Sequence, residues 1–149
     1  MTLDPTTLES LLDAARAART RAYAPYSRFN VGAALLDEQG RVHAGCNVEN
    51  AAYPQGSCAE AGALAALVLA GGTRVLAVAV DAGSPSLAPV TPCGGCRQRL
   101  REFAADAAPV LIADGQTVRL RTTLGALLPN SFGPDHLSDQ LMDHPASPR

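Results

Sequence analysis

Two short stretches constrain the fold more than anything else in the chain: Ser57-Cys58-Ala59-Glu60 and, further along, Thr91-Pro92-Cys93-Gly94-Gly95-Cys96. Both fall at the start of an expected helix. Ser57 opens an alanine- and leucine-rich run over 58–70 that Gly71-Gly72 closes, and Thr91-Pro92 has the form of an N-cap followed by a first-turn proline for a helix over 92–104. Helix N-termini favour thiolates through the dipole and the free backbone N–H groups. If both helices cover one face of a sheet, their N-termini converge near the strand ends, where open α/β sheets place ligands. Cys58, Cys93 and Cys96 then form a trio suited to zinc. Zinc is usually four-coordinate, so three protein ligands leave one position open for chemistry, which a closed structural site lacks.

Each of these residues also has a plainer reading. A single cysteine is as readily a buried thiol as a ligand, and Cys-x-x-Cys occurs in redox motifs and structural zinc sites. Ser57-x-x-Glu60 fits a helix-capping box. Beside a metal, however, a carboxylate that is not itself a ligand can take a proton from water and deliver it to substrate, so Glu60 is the candidate general acid-base. Cys46 is expected to be a small core side chain; as a fourth ligand it would make a closed, non-catalytic module. His43, His136 and His144 are expected on the surface or in the tail.

Composition narrows the class. The 149 residues suit one domain, set here as 1–134 with a mobile tail over 135–149, and are enough to bury an apolar core without disulfides. A net charge of -2 provides no basic stripe for phosphates, which argues against nucleic acid and for a small substrate. No basic-then-apolar leader and no apolar run of the ~18 residues that span a bilayer are visible, so the expected place is the cytoplasm, without membrane contact. In that reducing compartment a Cys-x-x-Cys pair favours metal or catalysis over a disulfide.

Along the chain, Asp4-Pro5 caps a first amphipathic helix to about Arg21, with Leu8, Leu11, Leu12 and Ala15 at helical spacing. Strands over 31–36 and 41–47 flank the turn-forming run Asp37-Glu38-Gln39-Gly40 and form an antiparallel hairpin. Residues 47–56 are a loop. The apolar run 75–81 reads as a central strand covered on both faces, and the helix after it returns the chain to a parallel strand over 110–113. The link Asp114-Gly115-Gln116 is too short for a parallel return, so the last strand, 117–122, runs antiparallel. A short helix over 124–128 ends at Pro129. The fold class is thus α/β: a three-layer α/β/α domain with a mixed five-stranded sheet, last strand antiparallel.

In this order the segments Tyr23-Ala-Pro-Tyr-Ser-Arg-Phe29, Val31-Gly-Ala-Ala-Leu35, Gly45-Cys-Asn-Val-Glu-Asn-Ala-Ala-Tyr53, Cys58-Ala-Glu60 and Pro92-Cys-Gly-Gly-Cys-Arg-Gln98 resemble the small, homotetrameric, zinc-dependent cytidine deaminases over nearly all of 22–132. The resemblance implies a cytidine-deaminase-like fold. It further implies Zn2+ held by Cys58, Cys93 and Cys96, and hydroxide attack at C4 of cytidine or 2'-deoxycytidine with Glu60 shuttling protons, as in pyrimidine salvage. By the same resemblance Asn47 and Glu49 bind ribose hydroxyls, Phe29 walls the nucleoside, and the backbone at Ala59 helps hold the base. Ala51, Tyr53 and Phe132 match positions that reach into a neighbouring subunit's pocket. For Asn47 and Glu49 the residue chemistry agrees, since Asn offers donor and acceptor and Glu accepts from two hydroxyls; plain loop structure is their alternative. Rival readings are a deaminase of another aminopyrimidine nucleoside such as blasticidin S, and the closed four-cysteine module. Many relatives carry an arginine directly after the catalytic glutamate, where this chain has Ala61. Three thiolates around Zn2+ sum to a net negative charge, and the helix N-termini, joined by Arg97, are expected to balance it.

Overall fold

A computed structural model describes residues 3–83 and 88–137; His144 and most of the expected tail lie outside them. The first helix, α1 (Pro5–Arg19), begins where Asp4 Oδ1 accepts from the Thr7 N–H at 3.0 Å, and it buries Leu11, Leu12 and Ala15. It stops two residues short of Arg21 because Thr20 takes the C-cap position, its hydroxyl bonded to Ala17 O.

The hairpin strands are β1 (Gly32–Asp37) and β2 (Val42–Cys46), paired antiparallel as expected. Helix α2 (Ala59–Leu69) follows, then β3 (Val75–Asp81), helix α3 (Gly94–Arg101), β4 (Pro109–Ala113), β5 (Val118–Thr123) and the short α4 (Leu124–Leu127). The sheet order is β2-β1-β3-β4-β5, with β3 and β4 parallel and every other neighbour antiparallel. Among the described strands the one parallel pair is thus the one joined through α3, as crossover length dictates.

Alternation along the central strands separates two cores. Ala33, Leu35, Val78 and Val80 point to the face covered by α2 and α3, while Ala34, Leu36, Ala77 and Ala79 point to the face covered by α1. Two glycines set how closely the helices approach. A Cβ at Gly45 would lie 2.3 Å from Ala63 N, and one at Gly32 would lie 2.0 Å from Ala15 O, so α2 and α1 press against strand backbone where no side chain stands.

The hairpin turn does more than reverse the chain. Asp37 is fully buried and accepts from the backbone N–H groups of Gln39 and Arg41, from Arg41 Nε at 2.7 Å, and from His43 Nε2 at 2.7 Å. His43 is therefore a buried partner of Asp37 and not a surface residue. The alternation of β2 places its ring over the turn acid, a pairing that depends on register. Arg41 Nη1 also donates to Ala70 O at the end of α2, and Glu38 accepts from the N–H groups of Thr73 and Arg74, so the hairpin fastens the loop beyond that helix.

Burial alone would raise the Asp37 pKa, but the bonds from His43 and Arg41 outweigh it and hold the carboxyl well below the usual range. A depressed folded-state pKa gives stability that is fully present above the unfolded value, near pH 4, and is lost as pH falls through the folded value. Asp37→Asn should cost about 3 kcal/mol at pH 7, the scale for breaking a buried charge pair, as read by urea unfolding. The gap from the parent should narrow as pH drops below about 4.

Candidate active site

The two helices begin on their cysteines. Cys58 is the N-cap of α2 and Cys93 the N-cap of α3, each with extended backbone and no side-chain capping bond. Thr91 and Pro92 thus precede the helix they were expected to open, and no capping box forms: Ser57 Oγ reaches only Cys58 O, at 3.5 Å. Glu60 is instead turned inward. It is 4% exposed, and its Oε2 lies 3.3 Å from Cys96 Sγ.

The sulfurs of Cys58, Cys93 and Cys96 all lie within 4.8 Å of one another, and those of Cys58 and Cys93 are 3.8 Å apart. A tetrahedral zinc with Zn–S bonds of about 2.3 Å sets its sulfurs about 3.8 Å apart, so the donor set fits that ion in chemistry and in spacing. Cys46, at the end of β2, is not in the group, and among the described residues no fourth thiol, histidine or carboxylate completes it. That position excludes the closed four-cysteine module.

The electrostatics also favour a cation. Desolvation pushes the Cys58 thiol up, and it pushes the Cys96 thiol up further with the charge of Glu60. Cys93 is drawn down, chiefly by the Cys96 N–H in the first turn of α3. Arg97 does not face the sulfurs. Its Nε donates to Pro92 O at 2.7 Å, Nη1 to Leu127 O at 2.7 Å and Nη2 to Thr91 Oγ1 at 2.8 Å, so its bonds go to oxygens. Of the expected charge balance, the first turn of α3 acts on Cys93 through the Cys96 N–H, and Arg97 makes no bond to sulfur.

A cavity of about 460 Å³ opens on this cluster, lined by Ser27, Phe29, Val31, Asn47, Glu49, Cys58, Ala59, Glu60, Val80, Val90, Thr91 and Cys93. It lies at the C-terminal end of β3, where α/β sheets bind ligands. Phe29, Asn47, Glu49 and Ala59 are brought to it as the sequence predicted. Ser27, Val31, Val80, Val90 and Thr91 were missed; the end of a buried strand and the run leading into Cys93 were the available signals.

Asn47 and Glu49 also perform the structural task that was their alternative. Asn47 Oδ1 accepts from Val31 N at 2.8 Å and its Nδ2 donates to Phe29 O at 2.8 Å, while Glu49 accepts from the N–H groups of Tyr26 and Ser27 and from the Ser27 hydroxyl. Those bonds, led by the one from Ser27, hold the Glu49 carboxyl below its ordinary pKa. The segment 47–49 is itself pinned between Tyr23 and Ser57 by backbone bonds, and the expected loop contains a 3-10 turn at Tyr53–Gln55.

Ala51, Tyr53 and Phe132 do not line the cavity. Tyr53 is 77% exposed against the edge of Tyr26, and Phe132 is 57% exposed and stacked on His136. The segment carrying Phe132 is tied to α3: Gln98 Nε2 donates to Phe132 O at 2.9 Å and Arg101 Nε to Ser131 Oγ at 3.0 Å.

Residues 5–112 match the profile of a family described as the cytidine and deoxycytidylate deaminase zinc-binding region. The chain is 42% identical over 131 residues to a cytidine deaminase of Sporosarcina psychrophila, covering 88% of this chain and 95% of that one. It is 49% identical over 116 residues to a cytidine deaminase of Mycobacterium tuberculosis, covering 78% and 82%. Among solved structures, a cytidine deaminase from Burkholderia pseudomallei superposes with a TM-score of 0.75 at 43% identity, covering 83% of this chain and 98% of that one.

Metal analysis of purified variants checks the ligand set. Cys46→Ala should retain about one zinc per chain, whereas Cys58→Ala, Cys93→Ala or Cys96→Ala should each lose most of it.

Proposed function

The chain belongs to the cytidine and deoxycytidylate deaminase family, and we infer that it is a zinc-dependent cytidine deaminase converting cytidine and 2'-deoxycytidine, with water, to uridine or 2'-deoxyuridine and ammonia. The observation that carries this reading is a buried carboxylate, Glu60, set against three sulfurs at zinc spacing and opening on the same cavity.

Cys58, Cys93 and Cys96 would hold zinc, which when bound would supply a Lewis acid that makes water a competent nucleophile near neutral pH. Glu60, as carboxylate, is placed to accept the proton that water loses on attack at C4 and deliver it to ring N3, then to move the proton of the new C4 hydroxyl to the amino group, so that C4 becomes a carbonyl and ammonia leaves. Burial of Glu60 excludes competing solvent and fixes one oxygen toward the cluster.

Phe29 supplies an apolar wall, and the backbone at Ala59, first residue of α2, borders the base. Asn47 and Glu49 retain capacity for ribose hydroxyls beyond their loop bonds: the Asn amide has a second hydrogen, and the carboxylate has further lone pairs. Among the described residues no lysine or arginine lines the cavity, while two carboxylates do. A 5'-phosphate or a nucleic-acid backbone finds no counter-charge there, which favours the free nucleoside. Blasticidin S deamination is the reading that side-by-side turnover assays separate.

Tyr23, Tyr26, Val48, Tyr53 and Phe132 are exposed apolar groups. A homotetramer that covers them, with Ala51, Tyr53 and Phe132 meeting a neighbour's pocket, is the assembly proposed, and light scattering at micromolar concentration should give four times the chain mass. No helix among the described residues is long and apolar enough to cross a membrane.

Glu60→Gln tests the chemistry. The variant should keep about one zinc per chain and lose roughly 10²- to 10⁴-fold in ammonia release from cytidine, the range for a general acid-base group; undiminished release would overturn the assignment.

A further inference from the structure

The run 90–92 forms the side of the cavity that leads into Cys93, through Val90 and Thr91. It belongs to no helix or strand, and Pro92, fully buried, has no N–H to donate. Buried carbonyls require donors, and a chain without a ladder must find them in side chains. Among the described residues, every hydrogen bond made to 90–92 comes from one group, the Arg97 guanidinium: Nε to Pro92 O at 2.7 Å and Nη2 to Thr91 Oγ1 at 2.8 Å. The same fork donates through Nη1 to Leu127 O, at 2.7 Å, on the last residue of α4. Arg97 lies one residue after Cys96 and bends back along α3, so it joins the pocket wall, the helix carrying two sulfurs and α4 at one planar centre.

We propose that Arg97 is a positioning residue for substrate: its guanidinium fixes the 90–92 wall against which the nucleoside is held. Cys93 has its own restraint as the N-cap of α3, where its carbonyl accepts from Arg97 N, whereas Thr91 and Pro92 have only this fork among the described residues. Loosening the wall weakens contacts made alike to substrate and to transition state, which raises KM and spares kcat. A role through charge on the sulfurs predicts something else. Lysine would keep the charge while losing the fork, and loss of charge would move the pH profile.

This rests on the cytidine deaminase reading, and kinetics on the zinc-loaded enzyme separate the two. If the parent turns over no cytidine, that reading fails; if the parent is active, the variants decide the role of Arg97. Arg97→Lys should hold about one zinc per chain, raise KM for cytidine about tenfold, leave kcat within about twofold, and leave the pH profile of kcat in place. Thr91→Val, which removes one of the three acceptors and makes no change to α3, should raise KM in the same direction by a smaller factor. An unchanged KM in Arg97→Lys, a shifted pH profile or loss of zinc from it would overturn the proposal. Should that variant not fold, an unchanged KM in Thr91→Val would do so.

Discussion

The meeting of two helix N-termini over one end of the sheet is the constraint from which the rest of the site follows. Cys58 and Cys93 are the N-caps of α2 and α3, and Cys96 lies one turn into the second. Neither cap position has a serine or aspartate to satisfy the free N–H groups, so the first-turn dipoles are left to act on sulfur. The approach of α2 is set by Gly45, where strand backbone meets helix backbone. A chain that did not bury these helices on a common face would hold the same four residues without a site.

Much of this was legible in the sequence, for identifiable reasons. The limits of β3 agree with the nearly continuous apolar run 75–81 because a strand covered on both sides reads as an unbroken apolar stretch, here closed by Asp81. The parallel β3–β4 pairing and the antiparallel β1–β2 and β4–β5 pairings followed from link length, whereas the antiparallel β1–β3 pairing had no such signal. The helix starts shifted because cap signals at Thr91 and Ser57 are local preferences, and the metal-facing cysteines compete for the same positions. His43 was misplaced because its partner Asp37 is reached only through the β1–β2 register. For Asn47 and Glu49 the structure supports both readings weighed in the sequence: the side chains organise 26–31 and also face the cavity, a combination residue type alone does not reveal. Arg97 illustrates the opposite limit. Its charge suggested a partner for the thiolates, but its fork geometry sends its bonds to oxygens.

Charged side chains serve this fold mainly by organising backbone. Asp37 and Glu38 collect N–H groups on either side of the hairpin and beyond α2, Arg41 reaches the carbonyl of Ala70, and Asp81 accepts from Gly83 and Gly115 at the far end of β3 and β4. Glu38, Arg41 and Asp81 each span two segments distant in sequence. The loops around the sheet are therefore joined by few, strong, directional contacts, while the alanine-rich interior provides close packing with little side-chain bulk.

One face of α3 contacts the stretch that bears Phe132 through Gln98 and Arg101, while the same helix carries Cys93 at its N-cap and Cys96 in its first turn. An eight-residue helix is too short to bend between those tasks. It behaves as a stiff rocker with sulfur at one end and an aromatic ring hung from the other, so a displacement at either end is felt at both.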